Sequence, residues 1–223
     1  MQPNRIILSG TASSLASQSI IRNTWLLLSL TLLFSAGAAF LGTQHPPAMG
    51  GMIATFVGGL VLLFVTQALR NSIWGLVSIF AFTGCMGYSL GPMLNQFIRG
   101  YTNGGQLILT ALAGTGTIFF VSSAWILSTK KDLSGWGKTL MIGLVVCIVA
   151  SIGNFFFHMP AIQLAISSMM VVISAALMMY DTSRIINGGE TNYIMATISL
   201  YLDILMLFQN LLILLGEFSG NRR

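Results

Sequence analysis

Residues 193–216 read YIMATISLYLDILMLFQNLLILLG, and Asp203 is the sole charged side chain in this stretch. The stretch is long enough to cross the apolar core of a membrane as a helix, which takes about 20 residues. A carboxylate at that depth costs on the order of 3 kcal/mol on insertion scales unless it is protonated, paired or hydrated. Because spanning a membrane does not require this cost, Asp203 is the residue that most strongly indicates a function.

The rest of the chain is equally apolar. Of its 223 residues, 55% are hydrophobic and 7% are charged, and the mean hydropathy is +0.84. A soluble globular domain carries about 25% charged residues, so the composition predicts an all-α integral membrane protein with several spans. Barrel strands alternate over about ten residues, whereas the apolar runs here are near-continuous and longer. The net charge of +5 is explained by basic loops, and no aromatic-interleaved basic patch indicates nucleic acid.

Seven apolar segments predict seven transmembrane helices. They run over about 23–41, 52–69, 73–97, 106–127, 136–157, 162–186 and 193–216. The loops are too short to fold alone, so 20–223 is predicted to be a single transmembrane domain behind a flexible cytoplasmic tail at 1–19. Pro92 predicts a kink or an early stop in the third helix. Gly87 and Gly91 form a small face that favours a helix contact within one chain over a dimer motif.

The distribution of Lys and Arg predicts the orientation. If the amino terminus is cytoplasmic, Arg99 is the one basic residue outside before the last segment. The others then lie inside: Arg5, Arg22, Arg70, Lys130, Lys131, Lys138 and Arg184. The positive-inside rule therefore predicts a cytoplasmic amino terminus. Two alternatives stay open for the last segment: a full crossing, which puts Arg222 and Arg223 outside, or a re-entrant segment, which returns them.

Asp181 is the second acidic residue of interest. It lies near the end of the sixth segment, which a short turn joins to the Asp203 segment as an antiparallel hairpin. Counting residues leaves the two carboxyl groups offset by about 5–10 Å. If they meet in a medium of low dielectric, they share a proton and titrate as a unit, and they also form a minimal Ca²⁺ site. The alternative is a helix-end salt bridge between Asp181 and Arg184, three residues on.

No enzyme signature accompanies these acids. The sequence lacks HExxH, Gly-x-Ser-x-Gly and a phosphate loop, and His45 and His158 do not form a cluster. We therefore expect no catalytic residues, no enzymatic activity and no resident cofactor, with Ca²⁺ bound at most transiently by Asp181 and Asp203.

Several motifs along nearly the whole chain resemble one known family. They are RNTWLLLSLT at 22–31, FAFTG at 80–84, GPML at 91–94, KKDLS at 130–134, and GGETNY at 188–193 before LYLD at 200–203. In combination they are similar to the Bax inhibitor (LFG) family. The resemblance implies a fold in which the last of seven helices is central and surrounded by the other six.

The resemblance also implies a function. Family members are associated with a pH-sensitive Ca²⁺ leak gated by an aspartate pair on the last two helices, and Asp181 and Asp203 match that pair. It further implies an arginine on the second helix that latches one aspartate. Arg70 is the arginine nearest to that position, although Gln67 is closer to the position itself than Arg70 is. Arg184 is the alternative latch residue.

Three functions remain open from the sequence. The first is the Ca²⁺ leak, with protons and Ca²⁺ as the species bound. The second, implied by bacterial members of the family, is that of a substrate and modulator of the membrane protease FtsH in the inner membrane. The third is a transporter that relays protons through Asp203, which the lack of an evident inverted repeat disfavours. The oligomeric state is left open.

Overall fold

The structure is a computed structural model that describes residues 4–47 and 49–220. It consists of seven long helices, with one 3-10 turn at Ser134–Trp136 before the fifth. The helices are α1 (Asn4–Gln44), α2 (Met49–Leu69), α3 (Ile73–Gly100), α4 (Gly104–Thr129), α5 (Gly137–Phe157), α6 (Pro160–Ile186) and α7 (Tyr193–Ser219). The number of helices agrees with the seven segments predicted, with ends within a few residues except at the start of α1.

Six of the helices are long and apolar enough to cross a membrane, and α2 is a shorter apolar helix over its described residues Ile53–Leu69. Many large apolar side chains point away from the bundle, such as Leu33, Phe64 and Phe157. In water this surface would be unfavourable, because soluble monomers rarely expose large contiguous apolar patches. The exposed surface is therefore suited to lipid.

Residues 4–19 are helical, which the sequence did not predict. A flexible tail was predicted at 1–19, but α1 begins at Asn4 and continues without a break into the apolar candidate span at Gln18. Each residue added to an existing helix gains a hydrogen bond without a new nucleation cost, so a long apolar helix can extend into a polar segment that contains no proline. Residues 1–3 of the predicted tail lie outside the described residues.

The prediction of an early stop at Pro92 is wrong. α3 continues through Pro92 and ends at Gly100, where Tyr101 caps it through a backbone bond to the Phe97 carbonyl. Proline removes one backbone donor from a helix, and in a membrane bundle neighbouring groups compensate for such losses. Separately, two tertiary bonds fix this half of α3 to the end of α1: Tyr88 donates to the His45 carbonyl and Asn95 donates to the Thr43 carbonyl.

The glycine face of α3 packs against α1, as predicted for a contact within one chain. A Cβ atom on Gly91 would collide with the backbone of Gly42, and one on Gly87 would collide with the Ser35 carbonyl. These glycines allow the two backbones to approach closely, as small residues do at membrane helix contacts. The α1–α3 contact is the most extensive in the protein.

α7 crosses the whole bundle. At its start, Asn192 donates to the Arg70 carbonyl in the α2–α3 turn, and at its end Ser219 donates to Asn103 in the α3–α4 turn. Because α3 separates those two turns, α7 spans the full length of the bundle, about 40 Å for its 27 residues. This agrees with a full crossing and not with a re-entrant segment.

α7 packs against α1, α3, α4 and α6, whereas α2 packs mainly on α3 and α5 mainly on α6. Several of its side chains are almost fully buried, among them Leu200, Tyr201, Leu207 and Leu212. Tyr201 shares a 2.7 Å hydrogen bond with Ser35 of α1 and donates to the Thr83 carbonyl of α3. α7 thus forms a large part of the described core.

Candidate ion and proton site

Asp203 lies inside the core of the bundle. Its residue surface is 3% exposed, and its Oδ2 atom has no hydrogen-bond partner among the described residues. It sits between the buried turns of α7 that carry Leu200 and Leu207, so the helix itself supplies no cation. A buried polar atom without a partner costs roughly 1–3 kcal/mol, which shows that Asp203 is not placed there for stability.

Asp181 lies on α6, a little over one turn before that helix ends at Ile186. Its side chain is 13% exposed, and its Oδ1 atom is 3.5 Å from the Arg184 guanidinium on the same helix. The salt bridge considered from the sequence is therefore present. Because the Arg184 side chain is 34% exposed, water screens the pair and its contribution to stability is small.

The structure brings the two carboxyl groups together. Asp181 and Asp203 lie close enough for a hydrogen bond between their carboxyl groups, so packing of α6 on α7 closes the offset expected from residue counting. Carboxylate oxygens only accept hydrogen bonds, so such a bond requires a proton on one of the two groups. The salt bridge and the carboxyl pair therefore coexist, with Asp181 as the shared member.

A chain of contacts links this pair to one end of the bundle, which holds the α2–α3, α4–α5 and α6–α7 connections. We call it the basic end because of its five basic residues: Arg70, Lys130, Lys131, Lys138 and Arg184. Arg184 also lies 3.5 Å from Glu190, and Glu190 accepts from the backbone of Asn192. Asn192 caps α7 by accepting from the backbone of Ile194 and Met195. It also donates to the Arg70 carbonyl and to Asn71.

The two residues predicted as latches thus differ in what they contact. Arg184 contacts Asp181 directly. Arg70 contributes its backbone carbonyl to Asn192, and its guanidinium makes no ion pair with the acids of residues 18–47 and 51–220. In this structure the cation beside the carboxyl pair comes from α6 and not from α2.

Sequence reasoning missed three polar side chains at this end of the bundle. Ser183 donates to the Lys131 carbonyl and accepts from the Leu133 backbone, which fastens the α4–α5 connection to α6. Thr182 lies 3.5 Å from Ser123 of α4, and both are buried. Asn192 could have been found, because an asparagine directly before an apolar run is a helix N-cap signal. Ser183 and Thr182 carry no such signal.

The donor set of the site suits a transient cation better than a permanent one. Over the described residues, no group of three or more His, Cys, Asp or Glu side chains could hold a metal ion. Ca²⁺ takes about six to eight oxygen ligands, which two carboxyl groups cannot supply alone. The free Oδ2 of Asp203 and the Asp181 carboxylate can supply the charge, while water or backbone carbonyls would supply the remaining oxygens.

Comparison with known proteins decides the family. The family model described as "Inhibitor of apoptosis-promoting Bax1" matches residues 17–220, which is nearly the whole chain. The chain belongs to the Bax inhibitor family. The family predicted from the sequence motifs is confirmed.

Three Bax inhibitor family relatives show how similar the chain is to bacterial members. One from Escherichia coli K12, named modulator of FtsH protease YccA, is 45% identical over 204 residues, or 92% of each chain. A relative of E. coli O6:H1 with the same identity and coverage is named inner membrane protein YccA. An uncharacterized membrane protein of Vibrio cholerae is 42% identical over 217 residues, or 96% of each chain.

Proposed function

We propose that this protein is a pH-sensitive Ca²⁺ leak channel of the inner membrane, gated by the Asp181–Asp203 pair. The observation that carries the proposal is the contact between two carboxyl groups on adjacent apolar helices, one of them buried with a free oxygen atom. Ionisable groups inside membrane spans are costly and mark ion and proton pathways. The name of the inner-membrane relative supports the location.

In this mechanism Ca²⁺ and the shared proton compete for the pair. The proton joins Asp181 to Asp203 and holds α6 against α7. Ca²⁺ binds carboxylates only in their deprotonated form, so its binding displaces the proton. Loss of the carboxyl–carboxyl bond then allows the two helices to separate at this level and lets the ion pass.

Arg184 acts as the latch in this proposal, in preference to Arg70. Its guanidinium neutralises part of the charge on Asp181 and is itself held by Glu190. A Ca²⁺ ion that approaches Asp181 must therefore displace this cation. Glu190 follows the Gly188–Gly189 turn, so the latch is fixed at the connection between the two helices that would move.

The basic end is proposed to face the cytoplasm, because cytoplasmic loops of membrane proteins carry an excess of Lys and Arg. The amino terminus is then cytoplasmic as well. We further propose that α7 is the central helix of the bundle: α1, α3, α4 and α6 contact it directly, and α2 and α5 surround it at one remove, packed on α3 and α6. The pair lies nearer the basic end, and protons and Ca²⁺ would reach it from the cytoplasm.

Proteoliposomes loaded with a calcium dye test this function. We expect the parent protein to conduct Ca²⁺, and we expect the Ca²⁺ concentration for half-maximal flux to fall as the pH rises, since fewer protons then compete. The double variant Asp181→Asn plus Asp203→Asn should conduct far less and lose this pH dependence. Asp132→Asn is a matched control, because Asp132 is an exposed loop carboxylate that accepts from the Ser134 backbone.

Equal flux through the parent protein and the double variant at every pH would refute the channel function. A flux in the parent that does not exceed that of empty liposomes would do the same.

The second candidate function is modulation of the membrane protease FtsH without channel activity. Its support is the 45% identity, over 92% of the chain, to a protein named modulator of FtsH protease. Residues before the apolar span at Gln18 could present an end for a processive protease to engage, since chain termini are common sites of proteolysis.

Deleting residues 2–17 tests this second function. We expect the half-life of the truncated protein in cells to increase several-fold, because the protease loses the segment that it engages. A variant with the same residues in scrambled order controls for length, and a strain without active FtsH should abolish the difference. The FtsH role is contradicted if turnover is unchanged and FtsH does not co-purify.

A further inference from the structure

A groove of about 560 Å³ lies between α1, α3, α4 and α7, on a different face of α7 from the Asp181 contact. Its size is within the roughly 300–1,000 Å³ typical of small-molecule sites. Four apolar side chains along its walls are between 50% and 63% exposed, namely Phe40, Ile98, Leu112 and Phe120. The groove therefore opens on the outer surface, between α1 and α4, which share no extensive contact over the described residues.

The hydroxyl groups around the groove are already hydrogen-bonded within the protein. The hydroxyl groups of Ser29, Thr43 and Thr115 donate to carbonyls of their own helices. At the floor, Ser35 and Tyr201 are hydrogen-bonded to each other. The groove consequently offers hydrocarbon surface to an occupant and suits an apolar chain better than water or an ion.

A cation lies on α3 directly beyond one end of the groove. Arg99 follows Ile98, which lines the groove, and lies one turn beyond Asn95, whose amide donates to the Thr43 carbonyl at 2.6 Å. Arg99 is exposed and makes no ion pair with the other described residues. An arginine at the end of a membrane helix is well suited to a phosphate group, which it can bind through two parallel hydrogen bonds.

We propose that the groove binds one acyl chain of a phospholipid, with the lipid phosphate at Arg99. Along α1 the groove runs from Trp25 to Thr43, about 27 Å at 1.5 Å per residue, which exceeds the half of a bilayer core, about 15 Å, that one acyl chain crosses. The lateral opening admits a chain directly from the surrounding lipid. This site does not depend on the Ca²⁺ function, since neither Asp181 nor Asp203 lines it.

Filling the groove tests whether the acyl chain of the lipid binds there. Gly116 lines the groove, and a Cβ atom added there meets nothing within 4 Å, so Gly116→Leu fills the space without striking the backbone. Gly153→Leu on α5 is the matched control, because Gly153 is equally open but lies away from the groove. Native mass spectrometry of the detergent-solubilised full chain, titrated with phosphatidylglycerol, measures binding. We expect one tightly bound lipid in the parent and in Gly153→Leu, and at least fivefold weaker binding in Gly116→Leu.

A second variant tests the phosphate assignment and leaves the core untouched. Arg99→Gln should weaken binding of phosphatidylglycerol at least fivefold but leave binding of diacylglycerol, which has no phosphate, unchanged. Gly116→Leu should weaken both lipids. Equal phosphatidylglycerol binding by the parent and Gly116→Leu overturns the proposal, as does an unchanged affinity in Arg99→Gln. A dimer that Gly116→Leu dissociates would also overturn it, because the occupant would then be a second copy of this chain.

Discussion

Replacing Asp203 with asparagine is expected to raise the Ca²⁺ concentration needed for half-maximal flux on the order of tenfold or more and to weaken its dependence on pH, because Asp181 is then the one member of the pair that still titrates. The amide of asparagine donates hydrogen bonds without a titratable proton, so the bond to Asp181 would persist at every pH. Ca²⁺ would then face one carboxylate instead of two and would have to break a hydrogen bond to a charged group, worth about 1.5–3 kcal/mol. Flux through proteoliposomes at several pH values and Ca²⁺ concentrations measures both effects.

Asp132→Asn is again the control, because it removes the same charge from an exposed loop. Its flux should follow that of the parent. A pH response that survives in the double variant Asp181→Asn plus Asp203→Asn would place the titrating group elsewhere in the chain and contradict the role of the pair.

Replacing Gly91 with leucine should destabilise the protein more than any substitution on the lipid-facing surface. The new side chain would meet the backbone of Gly42, which cannot rotate away as a side chain can. Overpacking costs roughly 1–3 kcal/mol when side chains can adjust, and a backbone collision in the most extensive helix contact should cost at least that. Thermal unfolding of the detergent-solubilised protein measures the loss.

Gly100→Leu is the matched control on the same helix, because an added Cβ atom there meets nothing within 4 Å. Its unfolding temperature should remain close to that of the parent. If Gly91→Leu unfolds at the same temperature as Gly100→Leu, the close approach of α1 and α3 is not what holds this half of the bundle together.

The helices and the unusual position of Asp203 could be predicted from the sequence because both depend on local features. A membrane helix needs a continuous apolar run, and such runs end visibly at features such as the Gly188–Gly189 turn. Asp203 was evident because a charge in such a run is rare. The glycine face at Gly87 and Gly91 was evident because its residues lie one turn apart on a single helix.

What could not be predicted depends on packing between segments distant in the sequence. The contact of Asp181 with Asp203 requires α6 and α7 to be packed at one particular level, which residue counting missed by one to two turns. The link from Arg184 through Glu190 to Asn192 depends on how the turn folds back. The start of α1 at Asn4 was missed because a polar, Ser-rich segment has no helical periodicity of its own.

The most direct test of the shared proton is infrared spectroscopy of the reconstituted protein in the carbonyl-stretch region of protonated carboxylic acids. The parent protein should show the band of one buried protonated carboxyl group, and Asp203→Asn should lack it. Adding Ca²⁺ to the parent should remove the band and release a proton to the medium. If the band is absent from the parent, or persists at a Ca²⁺ concentration that saturates the flux, Asp181 and Asp203 do not exchange a shared proton for Ca²⁺.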